Sequence, residues 1–124
     1  MEVTETEEWL DELVDRWSEV YKKSMTTVVL LHVIRDGGRM DAAAIAPAFT
    51  AATGWSLTGR GLYRTLRRLA TSSLCTVSEV PAARTGAKRK EYEVTALGEA
   101  YLQRVEALRI YLPGPESGRV GQED

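Results

Sequence analysis

Apolar positions follow helical spacing over five stretches of this chain and strand-like spacing over two. The sharpest pattern lies at residues 56–74, SLTGRGLYRTLRRLATSSL, where Leu62, Leu66 and Leu69 recur at i, i+4, i+7 and line one face of a helix. Arg60, Arg64 and Arg67 repeat that spacing two residues earlier, just over half a turn away, so they look out as the leucines look in. Tyr63 projects toward the arginine side, and Arg68 sits on its shoulder.

Residues 4–23 predict a first helix. Thr4 with Glu7 fits a capping box, Glu5, Glu7 and Glu8 suit the positive end of the helix dipole, and Trp9, Leu10, Leu13, Val14, Trp17, Val20 and Tyr21 form a broad apolar stripe. Such a stripe either covers the chain's own core or pairs with a second copy, and its width in so small a chain favours the dimer. Ser24 is expected to cap a second helix over 25–35, apolar almost all round, which closes at Asp36-Gly37-Gly38. Asp41 caps a third, with Met40 and Ile45 as a hydrophobic staple and Ile45, Ala48, Phe49 and Ala52 facing inward. Pro47 predicts a kink there or a later helix start. Trp55, after the terminating Gly54, either wedges the turn between helices or closes a small-molecule pocket.

After the arginine-faced helix, residues 74–80 read as a strand, 81–90 (PAARTGAKRK) as a basic turn, and 91–94 as the returning strand. Two helices followed by a hairpin with a basic tip is the order of a winged helix-turn-helix. Thr95 opens a last helix to about residue 112, with Leu97, Tyr101, Leu102, Val105, Leu108, Tyr111 and Leu112 apolar; Pro113 ends it. The expected class is mostly α with a small β-hairpin wing, organised as an N-terminal amphipathic helix (1–23), a winged helix-turn-helix (24–94), a C-terminal dimerisation helix (95–112) and a disordered tail (113–124).

Size and charge sharpen this. At 124 residues the chain suits one domain, and with no apolar run near the ~20 residues of a membrane span it is expected to be cytoplasmic. Net charge is −2, but residues 1–20 hold eight acids and one base, whereas residues 56–92 hold eight bases and two acids. The local field, not the total, is what an anionic partner meets. One cysteine, Cys75, excludes an internal disulfide and a zinc site of cysteine pairs; it is expected to pack at the start of the first wing strand. The single histidine, His32, reads as a core or boundary imidazole with no acid placed beside it. No phosphate loop, paired-carboxylate cleft or metal cluster stands out, so neither an enzyme nor a cofactor is expected.

The segments Ala52-Thr53-Gly54-Trp55, Leu62-Tyr63-x-x-Leu66-Arg67-Arg68-Leu69 and Arg89-Lys90-Glu91-Tyr92-x-Val94-Thr95-x-x-Gly98 resemble the PadR-type winged-helix transcriptional regulators, over roughly residues 28–105. The run Thr95-Ala96-Leu97-Gly98-Glu99-Ala100 is similar also to MarR and HxlR regulators. The chain departs from the PadR pattern at Gly59-Arg60-Gly61, where Pro-Gly-Thr is usual, and at Ser73, where a glycine usually ends the recognition helix.

The pattern and the resemblance together imply a homodimer that binds double-stranded DNA, most simply as a repressor on a palindromic operator. Arg60 and Arg64 are then placed for base edges and Tyr63 for a phosphate or a thymine methyl; Arg67, Arg68, Arg84, Lys88, Arg89 and Lys90 are placed for phosphates. The resemblance also implies an aromatic or drug-like effector, for which Trp9, Trp17, Trp55 and Tyr101 are candidate contacts. Two further readings remain at this point: a small-molecule-binding or sequestering protein, and a winged helix used only for protein contacts.

Overall fold

A computed structural model of the chain describes residues 4–81 and 88–109. Helix α1 spans Glu5–Gly37, and at 33 residues it is about 50 Å long at 1.5 Å per residue. Thr4 caps it as expected, its hydroxyl oxygen accepting from the Glu7 N–H at 3.0 Å. The two predicted N-terminal helices are therefore one. A cap needs an extended backbone, and neither glycine nor proline precedes Ser24 to supply a break, so the serine is an ordinary exposed residue inside α1. Thr26 bonds back to the Lys22 carbonyl at 2.6 Å, within one continuous turn.

The two halves of α1 differ. Thr26, Leu30, Leu31 and Ile34 are buried, whereas every residue from Glu5 to Trp17 is exposed. After Gly38, a two-residue strand β1 (Met40–Asp41), which periodicity did not reveal, leads into α2 (Ala42–Thr53). Asp41 is its cap, accepting from the Ala44 N–H at 2.9 Å, so the later start expected from Pro47 does not occur. Ile45 and Phe49 are buried as expected, but Ala52 is exposed. Trp55 is the wedge: its ring meets Phe49 edge-on at 5.7 Å and Tyr21 at 6.5 Å, joining α1 to the end of α2.

Helix α3 spans Gly59–Thr71 and is capped by Thr58, whose hydroxyl oxygen accepts from the Gly61 N–H at 3.0 Å. Leu62, Leu66 and Leu69 are its buried residues, as the spacing requires. Strands β2 (Cys75–Pro81) and β3 (Lys88–Val94) form the wing, antiparallel from Cys75↔Val94 to Pro81↔Lys88. The returning strand thus begins at Lys88, three residues earlier than expected. Pairing with Glu79, Val80 and Pro81 draws Lys88, Arg89 and Lys90 out of the turn. Strand β1 adds to the free edge of β3, giving the order β1-β3-β2, three strands where two were expected.

Helix α4 (Ala96–Ala107) is capped by Thr95, and Gly98 in its first turn is buried beneath the end of β3. A Cβ on Gly98 would lie 2.7 Å from Val94 Cγ1 and tighter still against the Leu74 carbonyl oxygen, which explains why glycine follows the cap at that spacing. The helix ends at Ala107, short of the expected 112. The expected stop at Pro113, the apolar positions Tyr111 and Leu112, and the tail at 113–124 lie outside the described residues. The core gathers Leu30, Leu31, Ile34, Ile45, Phe49, Leu62, Leu66, Leu69, Cys75, Tyr92 and Leu102, so each of the four helices and the wing contributes to it. This is a winged helix-turn-helix with one long helix before it and one after it.

Candidate nucleic-acid interface

The α3 leucines fix the helix on the core, and that leaves Arg60, Arg64, Arg67 and Arg68 in solvent. None of the four has a carboxylate of a described residue within 4.0 Å. Arg16, Arg35, Arg39 and Arg89, by contrast, are each matched with an acid. Four unneutralised cations on one short helix make a local positive field despite the acidic total. Tyr63 stands among them, 54% exposed.

A cleft of about 400 Å³ runs beside Tyr63, lined by Asp41, Ala42 and Ala43 at the start of α2 and by Lys88, Arg89, Lys90 and Tyr92 of β3. A second, of about 270 Å³, lies between α3 and the wing, lined by Tyr63, Arg67, Ala70, Val77, Lys90 and Tyr92. The structure therefore brings Tyr63, Arg67, Lys88 and Lys90 to adjoining walls. Burial, and secondarily the neighbouring Tyr63, pushes the Tyr92 phenol above its ordinary range, with Arg67 pulling the other way. The phenol stays protonated at neutral pH and adds no negative charge to the cleft.

Alternation along β3 sorts its side chains. Lys88 and Lys90 share a face with Tyr92, while Arg89 shares the opposite face with Glu91 and Glu93. Arg89 Nη2 donates to Glu91 Oε2 at 3.1 Å, and its Nε lies 3.6 Å from Asp41 Oδ2. Glu93 in turn accepts from Arg39 at 3.3 Å. Arg84, the remaining wing cation predicted as a contact, lies outside the described residues.

The four aromatic candidates are not gathered in one site. Trp17 stacks on Tyr21 at 5.3 Å, and Tyr21 leads to Trp55, whereas Trp9 lies under the Arg16 guanidinium at 5.2 Å and Tyr101 stands 37% exposed on α4. None of them lines either cleft beside α3. Trp55 Nε1 is buried without a hydrogen-bond partner among the described residues. His32 does have an acid partner, contrary to expectation: its Nε2 lies 3.4 Å from Glu106 Oε1 on α4, and its Nδ1 lies 2.9 Å from Arg35 Nη2. Glu106 was missed because nothing local connects it to His32. Among the described residues no cluster of three or more metal-ligating side chains occurs, and no helix is long and apolar enough to cross a membrane.

No protein-family model matches the chain, and no curated protein does. Solved structures do. A PadR family transcriptional regulator from Eggerthella lenta superposes with a TM-score of 0.67 at 22% identity, covering 80% of this chain and 84% of its own. A PadR-like transcription factor from Bacteroides fragilis gives 0.63 at 23%, covering 74% and 86%. Bacillus subtilis PadR, solved in complex with operator DNA, gives 0.60 at 23%, covering 74% of this chain and 51% of that one.

Proposed function

From this PadR-like winged-helix fold, we propose that the protein is a DNA-binding transcriptional regulator that acts as a homodimer on a palindromic operator, in the simplest case as a repressor. The observation that carries the reading is the row of four exposed α3 arginines next to Lys88 and Lys90 of the wing, none of them with an acid partner among the described residues. A surface that left such cations unneutralised would repel itself, and polyanionic duplex DNA relieves that repulsion with release of counterions. The Bacillus subtilis PadR that shares the fold was solved on operator DNA.

Arg60 and Arg64 lie toward the start of α3, where a recognition helix meets base edges, and arginine can hold guanine O6 and N7 with two hydrogen bonds. Tyr63, Arg67, Arg68, Lys88 and Lys90 serve the backbone on either side. The homodimer is supported by the uncovered apolar stripes: Trp9, Leu10, Val14, Trp17 and Val20 on α1 are each at least half exposed, as are Leu97 on α4 and Leu108 directly after it. An isolated helix as short as the projecting half of α1 is marginal in water, so a partner that covers its stripe stabilises it. Two copies on a two-fold axis would set their α3 helices about one DNA turn, ~34 Å, apart.

A second reading, effector response, is favoured by the ladder of Trp17, Tyr21 and Trp55, in which the exposed rings of Trp17 and Tyr21 offer a stacking surface for a flat aromatic compound and Trp55 anchors it to the core. Fluorescence anisotropy of labelled duplex, random and from the gene's own upstream region, titrated with protein across a range of salt, tests the main proposal. The expected result is tight binding to the upstream duplex that falls steeply with salt; equal, weak binding to both duplexes refutes sequence-specific regulation. Tryptophan quenching by a chemically broad set of aromatic compounds tests the second, and no quenching counts against it.

A further inference from the structure

We propose that Arg89 is a positioning residue of the wing and not a phosphate contact: its guanidinium stands between Asp41 and Glu91 and fastens the edge pair β1–β3 that ties the wing to the helices. The consequence for DNA rests on the function proposed above; the clamp itself does not.

The need for a clamp follows from the register. Strand β1 is two residues long, and its pairing sets Asp41 directly opposite Glu91. Like charges in that arrangement destabilise a strand pair, and these two are poorly screened, with side chains only 27% and 17% exposed. Arg89 lies two residues before Glu91 on the same face of β3. It donates to Glu91 Oε2 at 3.1 Å and holds Nε 3.6 Å from Asp41 Oδ2. A guanidinium suits this place because its planar fork presents donors toward two carboxylates at once, which an ammonium does less well.

Asp41 passes the connection on. Its other oxygen, Oδ1, caps α2 by accepting from the Ala44 N–H at 2.9 Å. One chain of contacts thus runs from wing strand through Arg89 and Asp41 to the first helix of the helix-turn-helix. Lys88 and Lys90 flank Arg89 in sequence but face the other way, and neither has a carboxylate of a described residue within 4.0 Å. The strand therefore divides its cations by face: one turns to the carboxylate pair that holds the wing, and two turn to the side of Tyr92, where they line the clefts beside α3. Arg89 keeps 49% of its side chain in water, so each bridge is individually modest and the effect falls on the placement of the wing more than on global stability.

The test is amide hydrogen exchange of the full chain together with DNA binding, for Arg89→Gln, for Lys90→Gln, and for Arg89→Gln combined with Asp41→Asn and Glu91→Gln. Arg89→Gln should speed exchange of the β1–β3 amides roughly threefold to tenfold with little change in the thermal midpoint. Neutralising both acids in that background should restore protection, since the repulsion is gone and asparagine still caps α2. On the upstream duplex, Arg89→Gln should weaken binding by a similar factor without changing the slope of log affinity against log salt, whereas Lys90→Gln should reduce that slope by about 0.9. Unchanged exchange in Arg89→Gln, no recovery in the triple variant, or a slope drop equal to that of Lys90→Gln would each overturn the proposal. Absence of any duplex binding by the unaltered protein overturns the regulator reading instead, and the exchange data still decide the clamp.

Discussion

Replacing Ser73 with glycine is expected to stabilise the protein, although it removes atoms. Helix α3 ends with the Ser73 N–H donating to the Ala70 carbonyl at 3.1 Å and the Leu74 N–H donating to the Leu69 carbonyl at 2.9 Å. That pair of bonds closes a Schellman motif and requires the first of the two donor residues, Ser73, to be left-handed. Ser73 has φ of 64°. A residue with a Cβ is disfavoured there by about 1–2 kcal/mol, while glycine brings about 0.5–1 kcal/mol of extra backbone entropy to the unfolded chain. The serine side chain is exposed, and its hydroxyl makes no hydrogen bond to a described residue; the bond from Thr95 Oγ1 at 2.7 Å goes to the Ser73 backbone carbonyl, which glycine keeps. The net gain is about 0.5–1 kcal/mol. With a urea m-value of about 1–3 kcal/mol/M, the midpoint should rise by about 0.2–1 M with m unchanged. Ser73→Asn should gain less, because asparagine only tolerates the left-handed region, and Ser73→Val should lose stability. An unchanged or lowered midpoint for Ser73→Gly, or valine equal to serine, would refute the reasoning.

Gly98→Ala should destabilise by about 1–3 kcal/mol in the same urea titration, because its Cβ would press on the Leu74 carbonyl that also accepts from the Thr95 N–H at 3.0 Å; the backbone there cannot yield cheaply. Arg64→Ala should weaken binding to the upstream duplex by about 1–3 kcal/mol while leaving binding to random duplex much less affected, as read by anisotropy at fixed salt. Trp17→Glu on the exposed α1 stripe should shift the sedimentation of a homodimer to that of a monomer; unchanged sedimentation would place the dimer contact elsewhere. Burial pushes the Cys75 thiol up to about 11, so the folded state holds that proton more firmly than the unfolded state. Its contribution to stability is therefore present below about pH 9 and is lost as pH rises toward 11; Cys75→Val should show a shallower decline in urea midpoint over that window.

Much of the candidate interface was legible along the chain. Leu62, Leu66 and Leu69 are buried and Arg60, Arg64 and Arg67 are exposed, because both facts follow from the 3.6-residue turn and need no knowledge of the rest of the molecule. The caps at Thr4, Asp41 and Thr95 were legible for the same reason, each being a contact across three residues. Ser24 misled because its side chain fits a cap, while the decision to start a helix there depends on whether the preceding turn has stopped, and nothing stopped it. Lys88 to Lys90 read as loop beside glycine and alanine, yet the opposing strand gave their backbone groups partners and drew them into the sheet.

What the sequence determined by itself was which residues share a face and where short-range hydrogen bonds end a helix: the two-sided helix α3, the wing that follows it, and the apolar stripe of the first helix. Tertiary structure alone decided that this stripe stands uncovered along half of α1, that β1 joins the wing, and that Glu106 reaches His32. It also decided that Arg89, indistinguishable in sequence from its lysine neighbours, faces two carboxylates. The reason is range. Periodicity and capping act over one or two turns, whereas Arg39 and Glu93 meet across 54 residues, and only the folded path of the chain sets which distant charges meet.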